Sequence, residues 1–471
     1  MGEMPVPADV LYGASTQRAV LNFPISGRPV PPQLIQAYAI LKSACAHANE
    51  KLGKLDPDRT NAIAQACNQI HNALPDHGGL AMHFPIDIFQ TGSGTSTNMN
   101  LNEVIANLVC IARNKPIGSS KDAAYLTAGG VHPNDHVNMG QSSNDTFPTA
   151  MNLAAGIAIK NQLLPAITRM KNDLERKAAA WDHIVKIGRT HLQDATPIRL
   201  GQEFSGYAAQ MAHAEERLHR VLHVIGELAI GGTAVGTGIN THPRFAGLVA
   251  AELTRVTGVH FREATNHFEA QHTRDAIVGA SANLRTIAVS ITKIANDIRW
   301  LGSGPRCGIG ELKIPAVQPG SSIMPGKVNP VICEAAIMAC CQVIGNDTAI
   351  MVGGLGGVGS LLDLNVAMPM MIANLLDSIS LLANTANVFT SNLLEGLEPD
   401  QARCASLIEG SLAMCTSLVP VIGYDKSAAL AYQAYREGKT VRQLALEQKL
   451  LPEAELARLL DPMTMTRPSE D

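Results

Sequence analysis

Aromatic side chains make up only 4% of this sequence, with two Trp, seven Tyr and nine Phe. β-Sandwiches draw heavily on aromatic and β-branched residues. A chain that is nonetheless 46% hydrophobic, rich in Ala, Leu and Ile, is expected to pack helix against helix. Charge is sparse too: 17% of residues are charged and the formal net charge is -4. That balance argues against nucleic-acid and membrane partners. No uncharged apolar run reaches the length of a membrane span and no signal peptide is recognisable, so neither is expected. The nine Cys include no Cys-x-x-Cys pair; Cys340 and Cys341 are merely adjacent. Free thiols in a reducing, cytoplasmic compartment are the expectation.

What is present is helical periodicity interrupted by polar loops. The 471 residues suffice for two or three domains. The pattern predicts a mainly helical N-terminal domain over 1–138, a long-helix bundle over 139–395 and a small helical C-terminal domain over 396–471. Residues 1–30 read as irregular, punctuated by Pro and Gly, and a helix is predicted from Pro32 toward Leu52. Three apolar stripes follow at 3–4 spacing: Phe204 to Ile225, Leu284 to Leu301, and the looser set Leu153, Ile157, Leu164, Ile167, Met170 and Leu174. Segments 332–352 and 370–390 are apolar almost all round, which predicts burial on every side in a bundle centre or an oligomer interface.

Five polar stretches could carry chemistry. Pro319-Gly320-Ser321-Ser322-Ile323-Met324-Pro325-Gly326-Lys327-Val328-Asn329-Pro330 cannot continue a helix, and its hydroxyls, ammonium and amide suit an anion. Gln90 to Asn100 opens as a glycine loop and is predicted to become helical near Asn102-Glu103. His132-Pro133-Asn134-Asp135 is followed by Gln141-Ser142-Ser143-Asn144-Asp145, where Asn144 or Asp145 could cap a helix whose free N–H groups face an anion. Taken alone, capping is the simpler reading. Gly188-Arg189-Thr190-His191-Leu192-Gln193-Asp194 reads as a loop feeding a helix. His191 there offers an acid/base group near neutral pH, and Glu334 could orient its ring; a satisfied structural His is the commoner outcome. His219 and His223 have ligand spacing but no acidic or Cys partner, so no metal is expected. Gly353 to Gly359 lacks the Lys and the preceding strand of a phosphate loop and reads as an interhelical turn.

The Pro319–Pro330 run closely resembles the signature loop of the fumarase/aspartase superfamily. Gln90-Thr91-Gly92-Ser93-Gly94-Thr95, His132-Pro133-Asn134-Asp135 and Ser143 resemble the class II fumarase branch. Asp87, Ser96, Ile198-Arg199 and Val331-Ile332 are closer to the aspartase pattern. The resemblance implies an all-α, three-domain fold whose long-helix bundle forms the core of a homotetramer, with each active site shared between three subunits. It implies a small dicarboxylate substrate, fumarate or L-malate, and cofactor-free hydration within the tricarboxylic acid cycle. Ser321 would be the base, Lys327 would favour its alkoxide, and His191 with Glu334 would serve the departing hydroxyl. Ser93, Gly94, Thr95, Asn98, Ser142, Ser143, Asn144, Thr190, Ser322, Lys327, Val328 and Asn329 would hold the substrate. His132, Pro133, Asn134 and Asp135 would form a second dicarboxylate site. The alternatives are aspartate ammonia-lyase and a non-catalytic structural member of the superfamily.

Overall fold

Helices start in this chain where a polar side chain closes the first turn and continue where apolar residues repeat every three to four positions. Asp56 accepts the Arg59 N–H at 2.9 Å ahead of helix Pro57–Ala73. Ser142 and Asp145 form a reciprocal capping box at the start of Ser143–Ala158. The computed structural model describes residues 2–74 and 79–468 and is all-α, with a few two-stranded ribbons.

Two compact units divide the chain, each gathered from separated stretches. One comprises Met1–Pro165, Glu216–Ala288 and Ala339–Ala383. In it, helix Pro32–Lys51 packs on Pro57–Ala73, Ser143–Ala158 and Phe245–Thr257. The other comprises Ala166–Glu215, Val289–Met338 and Asn384–Asp471. It includes an apolar cluster of Ile408, Met414, Leu418, Leu430, Val441, Leu444 and Leu456.

The two regular stripes are buried as expected, Phe204 to Ile225 on helix Leu200–Ile225 and Leu284 to Leu301 on helix Asp275–Leu301. The third is buried at Leu153, Ile167, Met170 and Leu174 and half-buried at Ile157 and Leu164. A π turn at Ile159–Leu163 inserts a residue between helices Ser143–Ala158 and Leu164–Ala180. Within that turn Ile159 and Leu163 are themselves fully buried.

Three other expectations are corrected. Residues 1–30 contain helix Ala14–Asn22, whose first N–H groups are held by the Glu103 carboxylate, at 2.9 Å from Gly13 and 3.0 Å from Ser15. That partner lies far along the chain, beyond the reach of local propensity. Helix Thr95–Ala112 begins seven residues before Asn102. The Gln90 side chain substitutes for a capping residue there, accepting the Thr97 N–H at 3.1 Å and hydroxyl at 2.8 Å. The Gly188–Asp194 stretch is no loop: strands Val185–Thr190 and Gln193–Arg199 pair antiparallel.

The two segments that are apolar all round differ from one another. Helix Met368–Phe389 is largely buried. Helix Val331–Gly354 is long and apolar enough to cross a membrane, yet only 33% of its most apolar window is buried within the chain. Its Met338, Ile344 and Met351 are exposed. It also carries polar anchors suited to packing in protein: Asp347 receives Ser281 Oγ at 2.7 Å and Arg285 Nη1 at 2.6 Å, and Asn346 donates to Asp377 at 3.0 Å.

The glycine loop is fixed by close approach. Gly92 accepts the Met368 N–H at 3.0 Å, and a Cβ on Gly92 would sit 1.7 Å from the Val366 carbonyl oxygen. Gly94 has φ +74°, and its Cβ would strike the Phe147 ring at 2.0 Å. Backbone cannot swing aside as a side chain can, so Gly92→Ala is expected to lower stability by at least about 2 kcal/mol, within the range of overpacked cores. Chemical denaturation checks this, and an unchanged midpoint would refute the close approach.

Candidate functional site

In the first unit, the turn before helix Thr95–Ala112 meets the start of helix Ser143–Ala158. Thr95 Oγ1 lies 2.8 Å from Ser93 Oγ and 2.7 Å from Ser143 Oγ. Asn144 donates to the Ala234 carbonyl at 2.8 Å. Ser142 accepts the Asn144 N–H at 3.2 Å while its own N–H donates to Asp145 at 2.9 Å. Hydroxyls and an amide thus gather at a helix N-terminus, where partial positive charge favours a carboxylate. Asn98 lies one layer deeper. It is buried, donates to Asn138 Oδ1 at 3.2 Å and accepts the Tyr38 hydroxyl at 3.2 Å.

Beneath this cluster are two buried charges: Lys42, absent from the sequence analysis, and Asp145, which was expected there only as a possible cap, a place that Ser142 takes. Lys42 is fully buried and donates to Asn138 Oδ1 at 2.8 Å and Gln141 Oε1 at 3.0 Å. Asp145 is fully buried and accepts the N–H groups of Gly231 and Thr233, both at 3.0 Å, besides that of Ser142. Burial pushes the Lys42 ammonium down to about 8 and the Asp145 carboxyl up to about 6. Each favours the other's charge. A signal for Lys42 existed: it follows Tyr38 by one helical turn on the apolar side of Pro32–Lys51.

His132 to Asp135 form a separate turn in the same unit. His132 Nδ1 accepts the N–H groups of Asn134 at 3.3 Å and Asp135 at 3.1 Å. The Asp135 carboxylate also approaches Nδ1, at 3.1 Å. Pro133 is buried, whereas Asn134 and Asp135 are exposed. The turn continues to Asn138, which Lys42 holds.

In the second unit, the ribbon turn carries Thr190 and His191. His191 and Leu192 have φ of 56° and 60°, the left-handed values that a two-residue hairpin turn of this hand requires at both central positions. Thr190 and His191 are exposed, and among the described residues their side chains hydrogen-bond to nothing in the chain. The signature loop belongs to the same unit. Ser321 Oγ accepts the N–H groups of Ile323 at 3.3 Å and Met324 at 3.2 Å. Asn329 ties the loop's ends by donating to the Gly320 carbonyl at 2.6 Å, and Gly320 N–H donates to the Lys327 carbonyl at 2.9 Å. Ser322, Lys327 and Val328 are exposed. Glu334 is exposed in the first turn of helix Val331–Gly354, and no hydrogen bond joins it to His191 within the chain. The structure thus brings together Ser93, Thr95, Ser142, Ser143 and Asn144, and separately Ser321 with its loop. It does not pair His191 with Glu334 inside one polypeptide.

Comparison with known proteins agrees with these blocks. A family model described as Lyase matches residues 2–345, and one described as Fumarase C C-terminus matches 414–467. The chain is 50% identical to the class II fumarate hydratase of Corynebacterium glutamicum, over 99% of this chain and 95% of the relative. It is 48% identical to the mitochondrial fumarate hydratase of Rhizopus oryzae, over 98% and 91%. The crystal structure of class II fumarase from Schistosoma mansoni superposes with a TM-score of 0.90 at 37% identity, covering 99% of this chain and 97% of that one. With its helical fold, its hydroxyl-lined helix start and its signature loop, the chain belongs to the class II fumarate hydratase family.

Proposed function

We propose that this protein catalyses the reversible hydration of fumarate to L-malate, in the cytoplasm, as a step of the tricarboxylic acid cycle and without metal or organic cofactor. The observation that carries the reading is the setting of Ser321, whose oxygen faces two backbone N–H groups. A serine hydroxyl is far too weak a base in water. Donors aimed at its oxygen stabilise the alkoxide more than the alcohol, and the ammonium of Lys327, in the same loop, is assigned the same effect.

In the dehydration direction, the Ser321 alkoxide takes the C3 proton of L-malate. The electron pair moves into the adjoining carboxylate, giving an aci-carboxylate dianion. That charge is the main obstacle, so preorganised donors dominate the catalysis. Lys327, Asn329 and Ser322 from the loop and Ser142, Ser143 and Asn144 at the helix start hold the two carboxylates, with Ser93, Gly94, Thr95, Asn98, Thr190 and Val328 completing the pocket. The C2–O bond then breaks, and His191, oriented by Glu334, delivers a proton to the departing hydroxyl through a water. The His132–Asp135 turn forms the second dicarboxylate site.

The assembly proposed is a homotetramer of D2 symmetry with three chains at each site and the three-domain division given above. The exposed apolar face of helix Val331–Gly354 supports it, because a surface of that kind calls for a protein partner. The lack of a hydrogen bond between the described His191 and Glu334 side chains within one chain agrees with it.

Purified protein is expected to form fumarate from L-malate without added metal, followed by ultraviolet absorbance; faster turnover of L-aspartate would overturn the reading. Ser321→Ala is expected to lose at least about a hundredfold in kcat, the low end for a general base, with unchanged circular dichroism. Near-normal turnover would make Ser321 a bystander. His191→Asn and Ser321→Ala chains, unfolded together and reassembled at random, are expected to regain about a quarter of wild-type activity, since each contributing chain is intact at its position half the time. A dead mixture containing demonstrated hybrid tetramers would exclude shared sites.

A further inference from the structure

Directly under the ribbon that carries Thr190 and His191 lies a buried ionic cluster that the mechanism does not use. Lys186 and Glu311 are 1% and 0% exposed. Lys186 Nζ is 3.3 Å from Glu311 Oε2, 3.2 Å from Glu203 Oε2 and 2.9 Å from the Ile187 carbonyl oxygen. Arg189, adjacent to Thr190, donates from Nη1 to the same Glu311 oxygen at 2.9 Å. Two cations and two carboxylates balance in charge. Glu311 is itself fixed from both sides: its N–H donates to the Leu301 carbonyl and its carbonyl accepts the Asp400 N–H, each at 2.8 Å.

Stability alone does not account for this cluster. Removing ions from water costs about as much as pairing returns, and well-packed apolar residues often serve as well or better. Glu311 Oε1 is buried without a hydrogen-bond partner, a further cost. Above the cluster is a turn whose two central residues are His and Leu, neither suited to the left-handed region they occupy. A turn that its own residues do not favour has to be held from outside. Both cations of the ribbon converge on the single oxygen Glu311 Oε2, which fixes the strand one residue before Thr190.

We infer that Glu311, acting through Arg189 and Lys186, is a positioning residue that sets where the Thr190-His191 turn presents its side chains to the substrate. The inference rests on the proposed role of His191. Glu311→Gln keeps the size of the side chain and removes its charge, so Arg189 and Lys186 lose their common anchor.

The test is a double-mutant cycle on L-malate dehydration, using the assembled enzyme. Glu311→Gln is expected to lower kcat about tenfold or more, a moderate cost for a misplaced catalytic group. KM is expected to change less than about threefold, because the other carboxylate-binding blocks are untouched. In the His191→Asn background the same substitution is expected to slow the enzyme no further, as for residues that act as one unit. If the two losses multiply, or if kcat is unchanged, the positioning role is wrong. If Glu311→Gln does not fold, Arg189→Lys keeps the charge at the partly exposed edge but loses the guanidinium's reach, and the same cycle with the same outcomes decides. His191→Asn alone retaining full turnover would instead remove the role of His191, and is read from the single variant.

Discussion

A carboxylate taken out of water must be met by donors, and Asp145 is met by three backbone N–H groups from two distant parts of the chain. Much of the first unit is arranged around that requirement. Ser142 N–H belongs to the helix start itself, and those of Gly231 and Thr233 belong to a segment far along the sequence. Meeting all three fixes the helix end that displays Ser142, Ser143 and Asn144. Lys42 sits among the same groups and binds Asn138 and Gln141, so the second turn, through Asn138, is referred to the same buried charges. In a low-dielectric interior such a network is rigid when complete and costly when any member is lost.

Both proposed anion-binding regions use main-chain donors where charged side chains would be the more obvious choice. Ser321 faces two N–H groups in a loop, and the Ser142 cluster stands at a helix N-terminus. Backbone dipoles are already oriented, so little reorganisation accompanies the growth of charge. In the proposed mechanism Lys327 adds the full positive charge on a flexible stem.

The polar blocks were legible because glycine, proline and clustered hydroxyls are local signals. Gly92 and Gly94 meet a carbonyl and a ring that no larger residue would tolerate, so the glycines themselves mark the close approach. Asp87 and Ser96, which lean toward the aspartase pattern, are engaged in structure. Asp87 accepts the N–H groups of Ser26 at 2.7 Å, Gly27 at 2.8 Å and Phe89 at 2.8 Å, and Ser96 lies 3.0 Å from Thr91 Oγ1. What was not legible depends on partners far apart in sequence. Helix Ala14–Asn22 takes its cap from Glu103, and Glu311 meets Lys186 and Arg189 across more than a hundred residues. The ribbon was missed because its turn lacks the Asn-Gly or Asp-Gly pair that marks most two-residue hairpins. The π turn was missed because a single inserted residue leaves the apolar composition of a helix unchanged.

Leu192 bears on any attempt to make this protein more heat-resistant. It is an exposed leucine in left-handed backbone at the tip of the ribbon. Glycine in its place would remove about 1–2 kcal/mol of backbone strain, so a screen that rewards survival on heating would favour the exchange. The neighbouring histidine would then sit on a looser support. With the role proposed for His191, variants selected for endurance at this tip would surrender rate, and the two selections would pull the same two residues in opposite directions.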